Sequence, residues 1–393
     1  MVREIVIAGA GTGTLRHLTP EVREAMNDAD IVFADKRLHG LIPSGKRVND
    51  IMNYAEIEHE DGKILFLVSG DPGIFSLMPV ILRRFPSENI TVLPGISSLQ
   101  VICAKAGETW HNAAILSGHG RTLSAGKFLN TIERNRITVL FCDRNISPSW
   151  ACEKLSCMSD IDVVIGSCLG SDDECVMRGS PEDFTGKIFP ELSILLARNN
   201  NVYIPKYLHL RDKDFLREKD IVMTNEAVRS VIISRLEMKG DGVFWDIGAG
   251  SGSISVSVGH ELPYSDIHAV ECNPKAANLT SRNAAKFHLH NITVHNSRAV
   301  DVIASLPEPS CVFIGGSNGE LSGILEHISQ LSGHVRVVIA CVTLETFTEA
   351  YTILRCWKNF EAVQISAVSS KTLAPELTMM KANNPVTILS AEK

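Results

Sequence analysis

The residues best suited to chemistry in this 393-residue chain form one run, Asp246-Ile247-Gly248-Ala249-Gly250-Ser251-Gly252, directly after the apolar triplet Val243-Phe244-Trp245. Closely spaced glycines let a backbone turn sharply and approach a ligand at the start of a helix. The next apolar run, Ile267-His268-Ala269-Val270, ends in Glu271, 19 residues beyond Gly252. A carboxylate there can accept hydrogen bonds from both hydroxyls of a ribose. Nicotinamide dinucleotides and S-adenosylmethionine both carry such a ribose. The dinucleotide fingerprint needs Gly-x-Gly-x-x-Gly, and the position three after Gly250 is Ser253, so the spacing speaks against a dinucleotide.

Four more loops of the same kind lie in the first half. Gly9-Ala10-Gly11-Thr12-Gly13 again misses the dinucleotide spacing, because Thr14 follows. Further on come Val68-Ser69-Gly70-Asp71-Pro72-Gly73, Leu93-Pro94-Gly95-Ile96-Ser97-Ser98-Leu99-Gln100 and Ser117-Gly118-His119-Gly120-Arg121. Any one alone would pass for an ordinary turn. Each, however, follows a strand-like run, which is where an open parallel sheet places its binding crevice.

The elements that must carry these loops alternate between strand and helix patterns, which argues for α/β architecture. Strands are expected at 3–8, 31–34, 64–68, 90–93, 114–117, 138–142, 163–167 and 193–197. A helix at 19–29 is expected to start at Pro20 with Thr19 as its cap. The pattern breaks at Arg198-Asn199-Asn200-Asn201. It restarts with a helix over 225–236 and strands at 243–247, 267–271, 292–295, 311–314, 335–340, 361–367 and 385–389. That order fits a doubly wound sheet ending in an antiparallel pair. No repeat relates the halves, so two different domains are expected, 1–200 and 201–393.

The second-half loop, with Asp246 just before a compressed Gly-x-Gly-x-Gly, resembles the first motif of Rossmann-like methyltransferases. Asp212-Lys213-Asp214-Phe215, Met223-Thr224-Asn225-Glu226-Ala227-Val228-Arg229, Val312-Phe313-Ile314-Gly315-Gly316-Ser317, Val342-Thr343-Leu344-Glu345-Thr346 and Asn384-Pro385-Val386 resemble the decarboxylating carbon-15 methyltransferases of corrin biosynthesis. The resemblance implies that Thr224, Asp246 and Gly248, Ala249, Gly250, Ser251 and Gly252 line the donor site. It implies too that Glu271 holds the ribose and Ala299 flanks the adenine. Asn225 stands where the family often has Lys, and Ser310 where an Asp is common. The first-half loops together resemble the tetrapyrrole methylases, and their wording resembles the carbon-5, corrin-forming branch, with Thr12 in place of the usual proline. That resemblance implies donor contacts from Gly9, Gly11, Gly70, Asp71, Ile74, Ser97 and Ser98.

The implied fold class is α/β: a tetrapyrrole-methylase fold of two α/β subdomains, then a Rossmann-like class I methyltransferase domain. The implied activity is methylation of carbons 5 and 15 of a precorrin-6-type tetrapyrrole, with decarboxylation of its ring C acetate. S-adenosyl-L-methionine would be the donor, with one site per domain. The substrate is an anionic tetrapyrrole, with or without cobalt, for which His119, Arg121 and Arg229 are candidate contacts. An RNA or protein methyltransferase, or a tetrapyrrole-binding scaffold with one inactive half, stays open beside this reading.

Bulk properties narrow the field. Net charge is −7, and the residues up to 200 carry 20 basic and 25 acidic groups against 18 and 20 in the rest. Neither half shows the basic excess of a nucleic-acid binder. No apolar run approaches a membrane span, and Val2-Arg3-Glu4-Ile5-Val6-Ile7 enters a strand pattern at once, so a cytoplasmic protein without a cleaved signal is expected. The ten cysteines include no Cys-x-x-Cys pair, and Cys103, Cys142, Cys168, Cys311 and Cys341 lie within or beside apolar runs, as buried thiols do. His288, His290 and His295 lack the spacing of a helical metal site and are expected on a solvated loop. No metal is expected, and self-association is expected as in both families.

Overall fold

A computed structural model describes residues 4–59, 62–86, 89–118, 123–375 and 377–393. The chain divides into two compact units, one of residues 1–123 and 135–202, the other of residues 124–134 and 203–393.

The first unit holds two sheets. β1 (Glu4–Gly9), β2 (Ile31–Ala34), β3 (Arg47–Asp50), β4 (Lys63–Val68) and β5 (Asn89–Leu93) pair in the order β3-β2-β4-β1-β5. All four pairings are parallel. A parallel sheet is covered on both faces, so its strands are apolar throughout rather than alternating. Ile5, Ile7, Phe33 and Phe66 fill one side, and Ala8, Val32, Leu65 and Leu67 the other, against Val22 and Met26 of α1 (Pro20–Asp28). Thr19 caps α1 by accepting from the Val22 amide at 3.3 Å. α2 (Met78–Arg84) and α3 (Ser98–Ala106) complete this part.

The second sheet joins β6 (Ala114–Ser117), β7 (Ile137–Phe141), β8 (Ile161–Ser167), β9 (Cys175–Gly179) and β10 (Ser193–Asn199) in the order β6-β7-β10-β8-β9. Only β6 and β7 run parallel.

α4 (Ala125–Arg134) belongs to the second unit, although β7 follows it almost at once. Asn130 is fully buried there, donating to the Pro263 carbonyl at 2.8 Å and accepting from the His290 amide at 2.8 Å. Glu133 takes His288 Nδ1 at 2.7 Å and His290 Nε2 at 3.4 Å. Burial alone would raise its carboxyl, but the His290 hydrogen bond and the His288 charge hold it below the ordinary value. A Cβ on Gly126 would lie 2.7 Å from Asn291 Cα, so only glycine permits this approach. His288 and His290 lie on an irregular turn, as expected, and serve there as docking residues for α4, whereas His295 stands at a strand end. His295 pairs with His268 at 3.0 Å.

α5 (Pro148–Leu155) returns to the first unit, and α6 (Glu226–Leu236) opens the main run of the second. β11 (Val243–Ile247), β12 (Asp266–Val270), β13 (Ile292–His295), β14 (Cys311–Ile314), β15 (Arg336–Cys341) and β16 (Lys358–Ile365) form a sheet with β19 (Val386–Glu392). The order is β13-β12-β11-β14-β15-β19-β16, with β19 antiparallel to both neighbours, as the strand pattern led one to expect. α7 (Ser253–Glu261), α8 (Pro274–Lys286), α9 (Ala299–Val302), α10 (Leu321–Gln330) and α11 (Leu344–Leu354) are the remaining helices of this unit. Sequence order reverses between β11 and β14, the switch point at which such sheets open a crevice.

Four strands were not expected: β3, β9 and the hairpin of β17 (Val368–Ala374) with β18 (Leu377–Ala382). Each lies at a sheet edge or outside the main sheets, where little apolar patterning is required. Among the described residues all ten cysteines are free thiols, no group of three His, Cys, Asp or Glu could hold a metal, and no helix is long and apolar enough to cross a membrane.

Candidate active sites

In the second unit the expected loop leaves β11 and turns into α7. Gly248, Gly250 and Gly252 have φ of 72°, 58° and 76°, which other residues adopt only under strain. A Cβ on Gly248 would meet the Gly316 carbonyl oxygen at 2.5 Å. The loop's N–H groups all point into the protein. Gly248 and Ala249 donate to Val270, Ser251 to Val222, and Gly252 to Ala249. Gly250 donates to Glu271 Oε2 at 2.8 Å, while Glu271 Oε1 accepts from Asn273 at 2.8 Å. A phosphate site needs free N–H groups. This loop instead meets a ligand with Cα and carbonyl surfaces, which suits a cation such as a sulfonium.

The loop borders a cavity of about 580 Å³, whose walls include Thr224, Ile247, Gly248, Ala249, Gly250, Glu271 and Ala299. That volume is in the range of small-molecule sites. Asn225, Arg298 and Asn318 also line it. Arg298 is held by Glu320 through two nitrogens, and Asn318 sits at φ 50°. Strained backbone of this kind gathers at functional sites.

Three residues expected at the donor do not reach the cavity. Asp246 is buried beneath it, and its Oδ2 accepts from the Ser255 amide at 3.0 Å and from the Ser255 hydroxyl. Burial pushes its carboxyl up to about 6, against the pull of the Ser255 hydrogen bonds and helped by the Glu271 charge. Ser251 is also buried, its carbonyl held by Asn283 at 2.9 Å. Gly252 packs on Thr280, where a Cβ would come within 2.6 Å of Cγ2. All three anchor the loop and the start of α7 rather than touch a ligand.

Arg229 is corrected as well. It is 2% exposed, and its guanidinium donates to Asp212 at 2.9 Å, the Thr224 carbonyl at 2.8 Å and the Leu210 carbonyl at 2.9 Å. It stacks over Phe215 at 4.9 Å. It does not line the cavity. Its role is to tie the chain before α6 in place and so hold Thr224 at the cavity.

In the first unit the C-terminal ends of β1, β4 and β5 meet. Gly11 and Gly70 exchange N–H···O bonds of 3.2 and 2.7 Å. A cavity of about 530 Å³ lies beside them, bordered by Gly11, Gly70, Ile74, Ser97 and Ser98. Ser97 caps α3 in a reciprocal capping box with Gln100. Gly9 and Asp71 do not line this cavity. A Cβ on Gly9 would be 2.5 Å from the Gly70 carbonyl oxygen, so its part is backbone packing. Asp71 accepts from Gly73 at 2.8 Å and from Gly95 at 3.0 Å, clamping one loop to the next.

His119 and Arg121 lie outside the described residues. Sequence reasoning missed Arg37, Phe75 and Cys168 as cavity residues. Phe75 and Cys168 have φ of 46° and 48°, and a left-handed Phe or Cys leaves no mark in a sequence. Arg37 had no signal beyond its charge.

Residues 4–185 match the family of tetrapyrrole (corrin/porphyrin) methylases, and residues 216–393 match the precorrin methyltransferase domain. The precorrin-6Y C(5,15)-methyltransferase [decarboxylating] of Sinorhizobium sp is 28% identical over 355 residues, covering 87% of this chain and 85% of that protein. The probable cobalt-precorrin-6B C(15)-methyltransferase (decarboxylating) of Pyrobaculum calidifontis is 33% identical over 183 residues, 46% of this chain and 93% of the relative. The solved structure of precorrin-6y C5,15-methyltransferase from Geobacter metallireducens is 33% identical with a TM-score of 0.45, covering 48% of this chain and 100% of its own. The chain belongs to the family of decarboxylating precorrin methyltransferases, S-adenosylmethionine-dependent enzymes of corrin synthesis, and joins a tetrapyrrole methylase domain to a precorrin methyltransferase domain in one polypeptide.

Proposed function

We infer that the first domain, residues 1–200, methylates carbon 5 of a precorrin-6-type tetrapyrrole. The second, residues 201–393, methylates carbon 15 and decarboxylates the ring C acetate. Each domain has its own donor site. The observation that carries this reading is the pair of separate cavities, one in each unit and each beside glycine loops at strand ends. In the second domain Thr224, Gly248, Ala249, Gly250, Glu271 and Ala299 would hold the donor. In the first, Gly11, Gly70, Ile74, Ser97 and Ser98 would do so.

The residues present fit a nucleoside sulfonium. Glu271 is fixed at both oxygens by backbone N–H groups, yet a carboxylate has lone pairs left for two ribose hydroxyls. The donor supplies an activated methyl group. A meso carbon of a reduced tetrapyrrole is enamine-like, so the chain's own task is to hold the reacting atoms in line and exclude water. Decarboxylation leaves electrons that the conjugated ring absorbs. The carboxylate that departs is best held by neutral groups, because an ion pair would stabilise the ground state. Asn225, Asn318 and Asn384 at the second cavity are neutral, and its one arginine is engaged by Glu320.

The test uses the intact chain. Calorimetry with S-adenosylmethionine is expected to give two equivalents bound. Incubation with a precorrin-6B-type substrate, with and without cobalt, is expected to give a product with two added methyls and one carbon dioxide lost, read by mass spectrometry. One methyl gained with the carboxylate kept would overturn the bifunctional reading. One donor equivalent would favour a scaffold with a silent half. Sedimentation of the same sample tests self-association.

A further inference from the structure

The first cavity is bordered by a hydroxyl that bonds to an imidazole behind it, a pair that the donor site does not use. Thr12 lines the cavity, and its Oγ1 lies 2.8 Å from His17 Nδ1. Thr14, on the same wall, has its hydroxyl 3.5 Å from that of Thr12. Two glycines make room for the pair. A Cβ on Gly170 would stand 2.4 Å from Thr12 Oγ1 and 2.7 Å from His17 Nδ1, and Gly170 has φ of 82°. A Cβ on Gly11 would stand 2.6 Å from the His17 carbonyl oxygen. The backbone therefore closes on this contact from two sides, and no side chain separates the hydroxyl from the ring.

We propose that Thr12 and His17 form a proton relay for carbon-5 methylation, taking up the pyrrolic N–H proton that the substrate must shed. This rests on the carbon-5 reading of the first domain. When the meso carbon attacks the methyl group, a C–C bond forms, the C–S bond breaks, and its electron pair stays on sulfur as a thioether. The electrons come from the N–C=C system, which leaves the nitrogen cationic with its proton still attached. That proton passes to Thr12 Oγ1, the Thr12 hydroxyl proton passes to His17 Nδ1, and the nitrogen becomes a neutral imine. One proton leaves per methyl, and His17 then returns it to water.

The surroundings suit this role. The charged groups facing His17 are Arg16 beside it and the Glu174–Lys105 pair. Glu174 is tied to Lys105 and accepts the Gly170 amide at 2.8 Å, so it does not compete for the proton. Burial first, then Arg16, lowers the His17 pKa, with Glu174 opposing. A neutral imidazole is thus present at neutral pH, ready to accept.

The experiment is single-turnover methylation by the full chain with a carbon-13-labelled methyl donor and a precorrin-6B-type substrate. Carbon NMR assigns each label to carbon 5 or 15. His17→Gln and Thr12→Val are expected to slow carbon-5 labelling about a hundredfold, the lower range of general-base catalysis. Carbon-15 labelling and carbon dioxide release should continue at the parent rate, which reports that the chain is folded. Thr12→Ser should restore the rate. In the parent the carbon-5 rate should fall as pH drops below the His17 pKa, and His17→Gln should lose that acid limb. Unchanged carbon-5 rate and pH profile in His17→Gln would overturn the relay. Failure of the parent itself to label carbon 5 would instead overturn the functional reading beneath it.

Discussion

Arg229 and Asp246 both lie buried behind the wall of the second cavity and steady it from there. Arg229→Met keeps the aliphatic stem but leaves two carbonyls and Asp212 without their donor. A loss of about 2–4 kcal/mol in stability is expected, since removing one member of a buried polar cluster leaves the rest desolvated. Arg229→Lys should recover little, because an ammonium cannot span the same fork. Chemical denaturation measures the first effect, and donor affinity at the second site reports the loosening of Thr224. For Asp246 the sign follows from its raised pKa of about 6. The folded state binds this proton more tightly than the unfolded chain, so its contribution to stability is full below about pH 4 and lost as pH rises through about 6. The swing is on the order of 1–3 kcal/mol. Denaturation of the donor-free protein across pH 4–7 should show it, and Asp246→Asn should flatten it. A slope that persists in Asp246→Asn would assign it to another group.

Elements were more legible than roles. Strands with both faces buried, such as β4 and β14, announce themselves as apolar runs, because the parallel sheet demands it. β3, reading Arg47-Val48-Asn49-Asp50, and the exposed hairpin β17–β18 meet no such demand and looked like loops. The glycine loops were legible because φ above zero at a strand end asks for glycine. What Asp71 and Arg229 do was not, because the same side chain serves a ligand or a neighbouring carbonyl equally well. α4 lies within the first half of the sequence, yet its partners include His260, Pro263 and His290. A fragment starting at residue 203 would lack it. Such a fragment should melt about 5–10 °C lower than one supplied with a peptide of residues 123–135, given the three hydrogen bonds that Asn130 and Arg134 make with Pro263, His260 and His290. Equal melting temperatures would show that α4 is dispensable to that unit.

At the level of the whole molecule, the two proposed donor sites should fail separately. Glu271→Ala removes the proposed acceptor for the donor ribose and, if each domain binds its own donor, should weaken one of two binding events by about 10- to 100-fold, the worth of one or two charge-assisted hydrogen bonds. Ser98→Trp fills part of the first cavity and should abolish the other event. Each variant is expected to yield a product with a single added methyl, with carbon dioxide lost only where Glu271 is intact; mass spectrometry separates these outcomes from a general loss of activity. The path of the chain has one more effect. It passes between the two units three times, at 123/124, 134/135 and 202/203. Glu133 meets His288 across 155 residues of sequence. At the usual pace of synthesis α4 emerges roughly 10–30 s before its docking residues. Until then Asn130 lacks the Pro263 carbonyl and the His290 amide that hold it in the folded chain. Full protection of α4 from a protease is therefore to be expected only once residue 291 has left the ribosome.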